Sequence, residues 1–203
     1  MKGNSKTSSN FKSIVKSFKA FSPVNCLSVE KYDQKTSVEN KDLVNEIIID
    51  KVETEIFKIL QSPHRRFNVD IGNNLNIWTL AVNTHFDNTP IVLIHGYCAG
   101  IGVWRYNIDA LSESRPLYAI DLLGFGRSSR PNFSKNPLEA ENQFVDSIEE
   151  WRKRMKIDKF ILLGHSFGAY LSTCYSLKYP KFVKALILND CWGIERIFFT
   201  ILF

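Results

Sequence analysis

The feature that most constrains this chain is the run Gly-His-Ser-Phe-Gly at residues 164–168, which lies between two different kinds of segment. Residues 159–163 before it are strand-like, and residues 171–177 after it have a helical pattern. A serine on a sharp strand-to-helix turn needs glycine on both sides, because a Cβ there would strike the neighbouring strand or helix. The run therefore predicts a nucleophile elbow, with Ser166 as the attacking group in an acyl-transfer reaction.

Short, wholly apolar runs alternate with helix-like segments along most of the chain. Ile91–Ile94, Leu117–Ile120 and residues 185–188 are typical of strands buried on both faces of a parallel sheet. Helical patterns occur at residues 42–60 and 104–111. This alternation predicts an α/β fold with a mostly parallel sheet that is covered by helices on both faces.

Two further elements have local signals of their own. Residues 67–71 and Leu75–Val82 alternate around a Gly-Asn-Asn turn, which predicts a β-hairpin. A helix is predicted to begin after Asn136, which is a good N-cap, with Pro137 at the first helical position. We expect Glu139 to complete a capping box, and the helix to bury an apolar stripe made of Phe144, Ile148, Trp151 and Met155.

The charge of the chain is concentrated at its N-terminal end. Residues 1–41 contain eight lysines and three acidic residues, and therefore account for the whole formal charge of +5. The neutral remainder argues against a nucleic-acid-binding domain, which would carry basic charge on the fold itself.

Four cysteines without paired or metal-ligand spacing indicate a reduced, intracellular protein.

Within this basic tail, apolar residues fall at helical spacing with lysines between them, namely Phe11, Ile14, Val15, Phe18 and Phe21. We interpret the segment as a solvated tail, with an amphipathic helix on a lipid surface or a mitochondrial transit peptide as the alternatives. Because the lysines interrupt the early apolar residues, we expect no secretory signal. No run reaches the roughly 18 apolar residues of a membrane span.

A second motif, His-Gly-Tyr-Cys-Ala-Gly at residues 95–100, follows the predicted strand Ile91–Ile94. Loops that leave the carboxyl ends of parallel strands build the sites of open α/β sheets. Taken alone, this run is typical of a tight glycine turn, but the elbow downstream favours an oxyanion hole. We expect the backbone N–H groups of Tyr97 and Phe167 to stabilise the negative charge that develops on a carbonyl oxygen.

The other polar residues near these loops are expected to be structural. Asp121 and Arg127, in a turn-rich run that follows a strand, are interpreted as partners that fix a loop. Each histidine is interpreted as structural or solvated, namely His64, His85, His95 and His165. The sequence has no histidine after Ser166, and its only later acids are Asp190 and Glu195. Asp190 is a candidate triad acid, although helix capping or a loop hydrogen bond is favoured.

Beyond these motifs, the residues resemble the α/β-hydrolase fold, and more narrowly the α/β-hydrolase-domain-containing 4/5 subfamily. The resemblance runs from about residue 77 to about residue 193, with a weaker similarity back to about residue 52. Its specific matches lie at residues 77–80, 121–131, 141–145, 147–152, 161–165 and 175–180. It divides the chain into a basic, disordered tail (1–41), a hydrolase domain incomplete at its C-terminal end (42–193) and an apolar tail outside the family pattern (194–203).

The resemblance implies a role in intracellular lipid metabolism. One branch of the subfamily is a serine lipase that deacylates N-acyl phospholipids and lysophospholipids. The other is a lipid-droplet protein that activates a triglyceride lipase, and a lysophosphatidate acyltransferase activity has been attributed to it. That branch has asparagine at the position of Ser166, so the lipase branch is the better match. The resemblance makes Ser166 the nucleophile and assigns the oxyanion hole to Tyr97 and Phe167.

The family's triad acid, histidine, lid and His-x4-Asp motif are expected beyond residue 203. We therefore expect a C-terminally truncated chain that is inactive when tested alone. The strand at residues 185–188 would then form an exposed apolar edge, which is a predicted aggregation site.

Three functional hypotheses follow. The first is a serine-dependent hydrolase of phospholipid or lysophospholipid acyl esters, the second a catalytically inactive lipid-surface or lipase-regulating protein, and the third a lysophosphatidate acyltransferase. Expected partners are a lipid substrate, a membrane or lipid-droplet surface, and a lipase or droplet-coat protein. No cofactor, metal or nucleic acid is expected. The expected location is cytoplasmic and peripheral to a membrane or lipid droplet, with the mitochondrion as the alternative.

Overall fold

The computed structural model describes the backbone of residues 38–193 and the side chains of residues 45–193. Several predictions made from the sequence lie outside these residues, namely the basic tail before residue 38, its amphipathic segment, Glu195 and the apolar tail. Between residues 38 and 193, no helix combines the length and the hydropathy that crossing a membrane requires.

The described elements alternate between helix and strand, as predicted. In chain order they are α1 (Val38–Phe57), β1 (His64–Gly72), β2 (Leu75–Val82), β3 (Ile91–Ile94), a 3-10 helix (Ile101–Trp104), α2 (Ile108–Ser112), β4 (Leu117–Ile120), α3 (Pro137–Arg154), β5 (Phe160–His165), α4 (Phe167–Lys178), a second 3-10 helix (Pro180–Phe182) and β6 (Val183–Asn189).

The six strands form one sheet in the order β1-β2-β4-β3-β5-β6. β1 and β2 pair antiparallel, as do β2 and β4, whereas β3 pairs parallel with both β4 and β5, and β5 pairs parallel with β6. The predicted α/β fold with a mostly parallel sheet is therefore confirmed. Because β3 and β5 are central neighbours, the loops that leave their carboxyl ends meet at one edge of the sheet.

Helices cover both faces of this sheet, also as predicted. On one face, α3 and α4 pack against the strands through Val145, Ile148, Trp151, Leu171 and Tyr175. On the other face, α1, the first 3-10 helix and α2 contribute Phe57, Ile101, Trp104, Ile108 and Leu111. Two layers of apolar side chains thus hold the central strands in place, and with them the loops at their ends.

Polar groups also anchor α3. The buried Trp151 Nε1 donates to Thr79 Oγ1 of β2 at 2.9 Å. The Glu149 carboxylate accepts from Arg152 Nε at 2.8 Å and from the Tyr175 hydroxyl of α4 at 2.7 Å. Of the predicted apolar stripe, Ile148 and Trp151 are fully buried and the other two residues are partly buried. The Tyr175 hydrogen bond to Glu149 joins α4 to α3, whereas the Glu149–Arg152 ion pair lies within α3, three residues apart.

The predicted β1–β2 hairpin is confirmed, but some local predictions were wrong in detail. The turn of the β1–β2 hairpin is Asn73-Asn74, with φ of 53° and 58°, which is the two-residue type I′ turn. β1 begins at His64, which was placed in an exposed turn and instead lies exposed on a strand. The helix predicted at residues 104–111 is two short helices, with a break between Trp104 and Ile108.

The apolar sequence of β6 is of the buried type, but the strand was also predicted to be an exposed edge in this chain, and its position fits that second prediction. Among the described strands it is at the edge of the sheet and pairs only with β5. Every residue of β6 keeps some exposure, and Leu188 is exposed. Aggregation through this edge stays a prediction.

Replacing the N-cap Asn136 by alanine is expected to lower the free energy of unfolding by about 1 kcal/mol. Asn136 Oδ1 accepts from the N–H groups of Leu138 at 3.0 Å and Glu139 at 3.3 Å. Glu139 itself does not close a capping box, since its carboxylate accepts from the Ser134 hydroxyl instead. The loss should appear as a lower urea midpoint with an unchanged m-value. Asn136→Asp keeps the acceptor and should be near wild type, so equal losses in both variants would contradict the cap.

Candidate active site

Ser166 occupies a strained turn between the end of β5 and the start of α4. Its φ is 54° and its ψ is −118°, a conformation that residues with a side chain rarely adopt. Such a backbone costs about 1–3 kcal/mol and persists only where its surroundings hold it. The side chain is half-buried at the edge where the loops after β3 and β5 meet. Ser166 therefore lies on a sharp strand-to-helix turn, as expected; that this turn is a nucleophile elbow stays a prediction.

Close packing explains both glycines of the motif. A Cβ on Gly164 would lie 2.4 Å from the Gly168 carbonyl oxygen and 2.5 Å from Ser172 Oγ. A Cβ on Gly168 would lie 2.3 Å from the carbonyl oxygen of Ile94 on β3. Only glycine at these two positions lets α4 approach the sheet closely enough to turn the chain at Ser166.

Backbone hydrogen bonds hold the strained turn. The Ser166 N–H donates to the Asn189 carbonyl oxygen of β6 at 2.9 Å. The Ser166 carbonyl oxygen accepts from the Ala169 N–H at 3.0 Å and from the Trp192 N–H at 3.3 Å. Phe167, the first residue of α4, has an N–H with no carbonyl partner in the preceding helical turn. The positive end of the α4 dipole therefore lies beside Ser166 and favours negative charge there.

The loop after β3 comes next to Ser166. A Cβ on Gly96 would lie 3.2 Å from Ser166 Cβ, which places the Gly96–Tyr97 peptide beside the serine. The Tyr97 and Phe167 rings meet edge to face, with centroids 6.4 Å apart. The structure thus brings together the three residues that the sequence singled out, namely Ser166, Tyr97 and Phe167. That the Tyr97 and Phe167 N–H groups act as an oxyanion hole stays a prediction.

His95 anchors the start of this loop. Its Nε2 accepts from the Leu122 N–H at 3.0 Å, so its Nδ1 carries the proton and donates to the Gly96 carbonyl oxygen at 2.7 Å. Burial lowers the pKa of His95 from 6.5 to about 4, against the opposing effect of the Gly96 hydrogen bond. His95 is therefore a neutral structural residue at neutral pH, in agreement with its interpretation from the sequence.

Asp121 fixes loops, as predicted, but its partners are backbone groups. Asp121 Oδ1 accepts from the Ile101 N–H at 2.7 Å, and Oδ2 accepts from the Arg127 N–H at 2.8 Å. The Arg127 guanidinium points elsewhere, to Asp50 of α1 at 2.9 Å and to Glu53 at 3.3 Å. It also lies 3.8 Å above the Trp78 ring. The side-chain pairing of Arg127 was missed because its partners lie far away in the sequence.

The remaining candidates lie in different surroundings. The His165 ring meets the buried Trp104 ring edge to face, on the α1–α2 side of the sheet. His64 and His85 are exposed, one on β1 and one in the loop after β2. Asp190 directly follows β6 and has a φ of 49°. Burial raises the pKa of the neighbouring Cys191, and the Asp190 charge raises it further. Within residues 45–193, no three His, Cys, Asp or Glu side chains are arranged to hold a metal ion.

Comparison with known proteins agrees with this geometry. Residues 89–198 match the family model described as the alpha/beta hydrolase fold. The 2-hydroxy-6-oxo-6-phenylhexa-2,4-dienoate hydrolase of Rhodococcus sp. strain RHA1 superimposes with a TM-score of 0.61 and 22% identity, over 66% of this chain and 49% of that one. At this identity the superposition shows the fold alone.

Two curated relatives are much more similar in sequence. The rat protein named 1-acylglycerol-3-phosphate O-acyltransferase ABHD5 is 48% identical over 147 residues, which are 72% of this chain and 42% of the relative. The cattle (lyso)-N-acylphosphatidylethanolamine lipase is 50% identical over 143 residues, 70% of this chain and 42% of the relative. The matched region thus spans less than half of either relative.

Proposed function

This chain belongs to the α/β-hydrolase fold family, and from that premise we propose that it supplies the nucleophile of a serine-dependent carboxylic-ester hydrolase. The observation that carries the proposal is the backbone of Ser166, whose φ of 54° and ψ of −118° at the β5–α4 turn store strain. Strain of this kind is kept where it presents a reacting group. The two glycines packed against β3 and α4 keep the turn in place.

The proposed substrates are acyl esters of phospholipids or lysophospholipids. The names of the rat and cattle relatives both describe lipid chemistry, one an acyl transfer to a lysophospholipid and the other a lipase reaction. Ser166 agrees with the lipase branch that the sequence resembles. We also propose a location peripheral to a membrane or lipid droplet, where the basic residues 1–41 would be attracted to anionic lipid.

The first chemical step forms an acyl-enzyme. Ser166 Oγ attacks the ester carbonyl carbon and loses its proton to a general base, and the carbonyl oxygen becomes an oxyanion. The N–H groups of Tyr97 and Phe167, with the N-terminus of α4, stabilise this charge. The C–O bond to the alcohol then breaks, and the alcohol leaves with a proton. We place the general base outside residues 38–193, since His95 is committed to Leu122 and Gly96.

The second step distinguishes two related functions. If water attacks the acyl-enzyme, a fatty acid is released and the protein is a hydrolase. If the hydroxyl of a lysophosphatidate attacks, the acyl group is transferred and the protein is an acyltransferase. The name of the rat relative favours this second candidate. Both functions use the same nucleophile, so they differ only in which acceptor reaches the acyl-enzyme.

Labelling with a fluorophosphonate probe tests whether Ser166 is activated. We expect the protein, expressed as its gene encodes it, to be labelled on Ser166, and Ser166→Ala to reduce labelling at least about 10⁴-fold. Ser176→Ala is the matched control, because Ser176 lies on the same helix and its hydroxyl only donates to the Ser172 carbonyl oxygen at 2.7 Å. Labelling that persists in Ser166→Ala would contradict the assignment. A folded wild type that is never labelled would favour an inactive lipid-surface or lipase-regulating protein.

A second assay separates the two acceptors. The protein is incubated with a phospholipid that carries a radiolabelled acyl chain, with and without lysophosphatidate. A hydrolase releases labelled fatty acid in both reactions, whereas an acyltransferase forms labelled phosphatidate only when the acceptor is present. We expect free fatty acid to dominate.

A further inference from the structure

Both ends of the loop that carries Tyr97 are tied to two consecutive residues at the end of β4. At the start of the loop, His95 Nε2 accepts from the Leu122 N–H at 3.0 Å. At its end, the Ile101 N–H donates to Asp121 Oδ1 at 2.7 Å. The five residues between these anchors include Gly96, which lies against Ser166. The position of the Tyr97 N–H is therefore set by contacts that the end of β4 provides.

The Asp121 carboxylate is enclosed by backbone. A Cβ on Gly100 would lie 2.9 Å from Asp121 Oδ1, and one on Gly126 would lie 2.0 Å from Oδ2. Oδ2 accepts from the Arg127 N–H at 2.8 Å, while the Ser128 hydroxyl donates to the Asp121 carbonyl oxygen at 2.6 Å. Each carboxylate oxygen thus holds one N–H, and the glycines leave no room for a different arrangement. The carboxylate joins the loop after β3 to the loop after β4.

The charge of Asp121 does not help the fold at neutral pH. The pKa of Asp121 is raised from 3.8 to about 6, mainly by burial and to a smaller extent by the Glu53 charge. The hydrogen bonds from the Arg127 and Ile101 N–H groups oppose this rise, as does the Arg127 guanidinium. That guanidinium is shared with Asp50 and Glu53 of α1. Because the folded-state pKa is raised, ionisation of Asp121 destabilises the fold as pH rises from about 4 to about 6. The backbone hydrogen bonds to Asp121 therefore offset only part of the cost of burying its charge.

We propose that Asp121 is a positioning residue, which holds Ile101 so that the Tyr97 N–H faces the carbonyl oxygen of an ester bound at Ser166. This inference rests on the proposed ester chemistry, and Asp121 itself touches neither the substrate nor Ser166. Its action is indirect. The Asp121 carboxylate fixes one end of the loop and His95 fixes the other, so that the Tyr97 N–H between them points toward the ester carbonyl oxygen. Removing one oxyanion donor typically lowers turnover about 10²–10³-fold, so a misaimed donor has a measurable cost.

The first test needs no catalysis. Backbone amide NMR signals of the unmodified protein are followed from about pH 7.5 to about pH 5, above the range in which His95 titrates with its pKa of about 4. We expect the Ile101 and Arg127 signals to shift with one midpoint near the Asp121 pKa of about 6. The Tyr97 signal should shift with the same midpoint. If Ile101 and Arg127 titrate and Tyr97 does not, the loop is not positioned by Asp121 and the proposal is overturned.

The second test measures fluorophosphonate labelling of Ser166 in Asp121→Asn. We expect the maximal labelling rate to fall about 10- to 100-fold, with the half-saturating probe concentration unchanged. Asp109→Asn is the matched control, because the Asp109 carboxylate also accepts two backbone N–H groups, from Gln61 and Ser62 at 3.0 Å each, away from Ser166. This control should label at the wild-type rate.

The possible failures of this experiment are distinguishable. Equal labelling rates in wild type, Asp121→Asn and Asp109→Asn would overturn the positioning role. Equal reductions in the two variants would also overturn it, since they would reflect a general loss of structure. An unlabelled wild type would instead contradict the proposed function. The NMR titration then decides the positioning role, as it does if Asp121→Asn fails to fold.

Discussion

Gly168→Ala is expected to lower the free energy of unfolding by more than about 3 kcal/mol, since the added Cβ has no space. It would lie 2.3 Å from the Ile94 carbonyl oxygen and 2.4 Å from that of His95. β3 is held by β4 on one side and β5 on the other, so the Ile94 oxygen cannot move without disturbing the sheet. Any shift of α4 would also move Ser166, so the elbow and its support are lost together.

The measurement is urea denaturation of wild type, Gly168→Ala and a matched control, Gly102→Ala. A Cβ on Gly102 would lie 3.5 Å from Ile56 Cγ2, which is an ordinary van der Waals contact. Gly102 is in a 3-10 helix, where alanine carries no comparable steric cost, so this variant should change stability by less than about 1 kcal/mol. Similar losses in the two variants would contradict the packing described around the elbow.

The strained turn at Ser166 was predictable because its sequence signal lies within five residues, although the contacts that require the two glycines come from other parts of the chain. The contacts that exclude a Cβ at Gly164 and Gly168 are the reason that the motif has glycine at those positions. The strands Ile91–Ile94 and Leu117–Ile120 were equally clear, since a fully buried strand needs apolar residues on both of its faces. The N-cap of α3 was also found, because its acceptor bonds N–H groups only two and three residues away.

Features that depend on distant contacts were not predictable from the pattern. The Arg127 guanidinium is held by Asp50 and Glu53 of α1, more than 70 residues earlier, with no local signal to link them. The bond from the Ile101 N–H to Asp121 had a weak signal in the sequence. Gly100 and Gly126 let the backbone of both loops come close to the Asp121 carboxylate. The apolar residues of β6 are the same whether or not another strand covers it, so its exposure was expected only because the resemblance places further strands of the family after it.

The polypeptide of residues 1–203, assayed alone, is expected to hydrolyse short-chain esters at least about 10⁴-fold more slowly than a serine esterase with a full triad. All four of its histidines lie within the described residues, and we expect none of them to act as the base of Ser166. His64 on β1 lies opposite Val82, the last residue of β2, and Val82 pairs with Leu117, the first residue of β4. His85 comes three residues after Val82 in the chain. Both histidines therefore lie where the parallel strands begin, whereas Ser166 lies at their carboxyl ends.

The other two histidines are near Ser166 but engaged elsewhere. His95 accepts from the Leu122 N–H, and the His165 ring lies against Trp104 on the α1–α2 face. Without a base, the serine hydroxyl keeps its proton, and only the oxyanion donors and substrate binding remain to accelerate the reaction.

A chimera makes this prediction decisive. Residues 1–193 are joined to the part of the cattle lipase that follows its matched region, and p-nitrophenyl butyrate hydrolysis is compared with that of residues 1–203 alone. We expect activity in the chimera, loss of that activity in its Ser166→Ala variant, and none above background in the 203-residue polypeptide. Ser166-dependent hydrolysis at an ordinary enzymatic rate by residues 1–203 would show that a residue of this polypeptide serves as the base. His165 would then be the residue to replace, because it alone is adjacent to Ser166 in the chain.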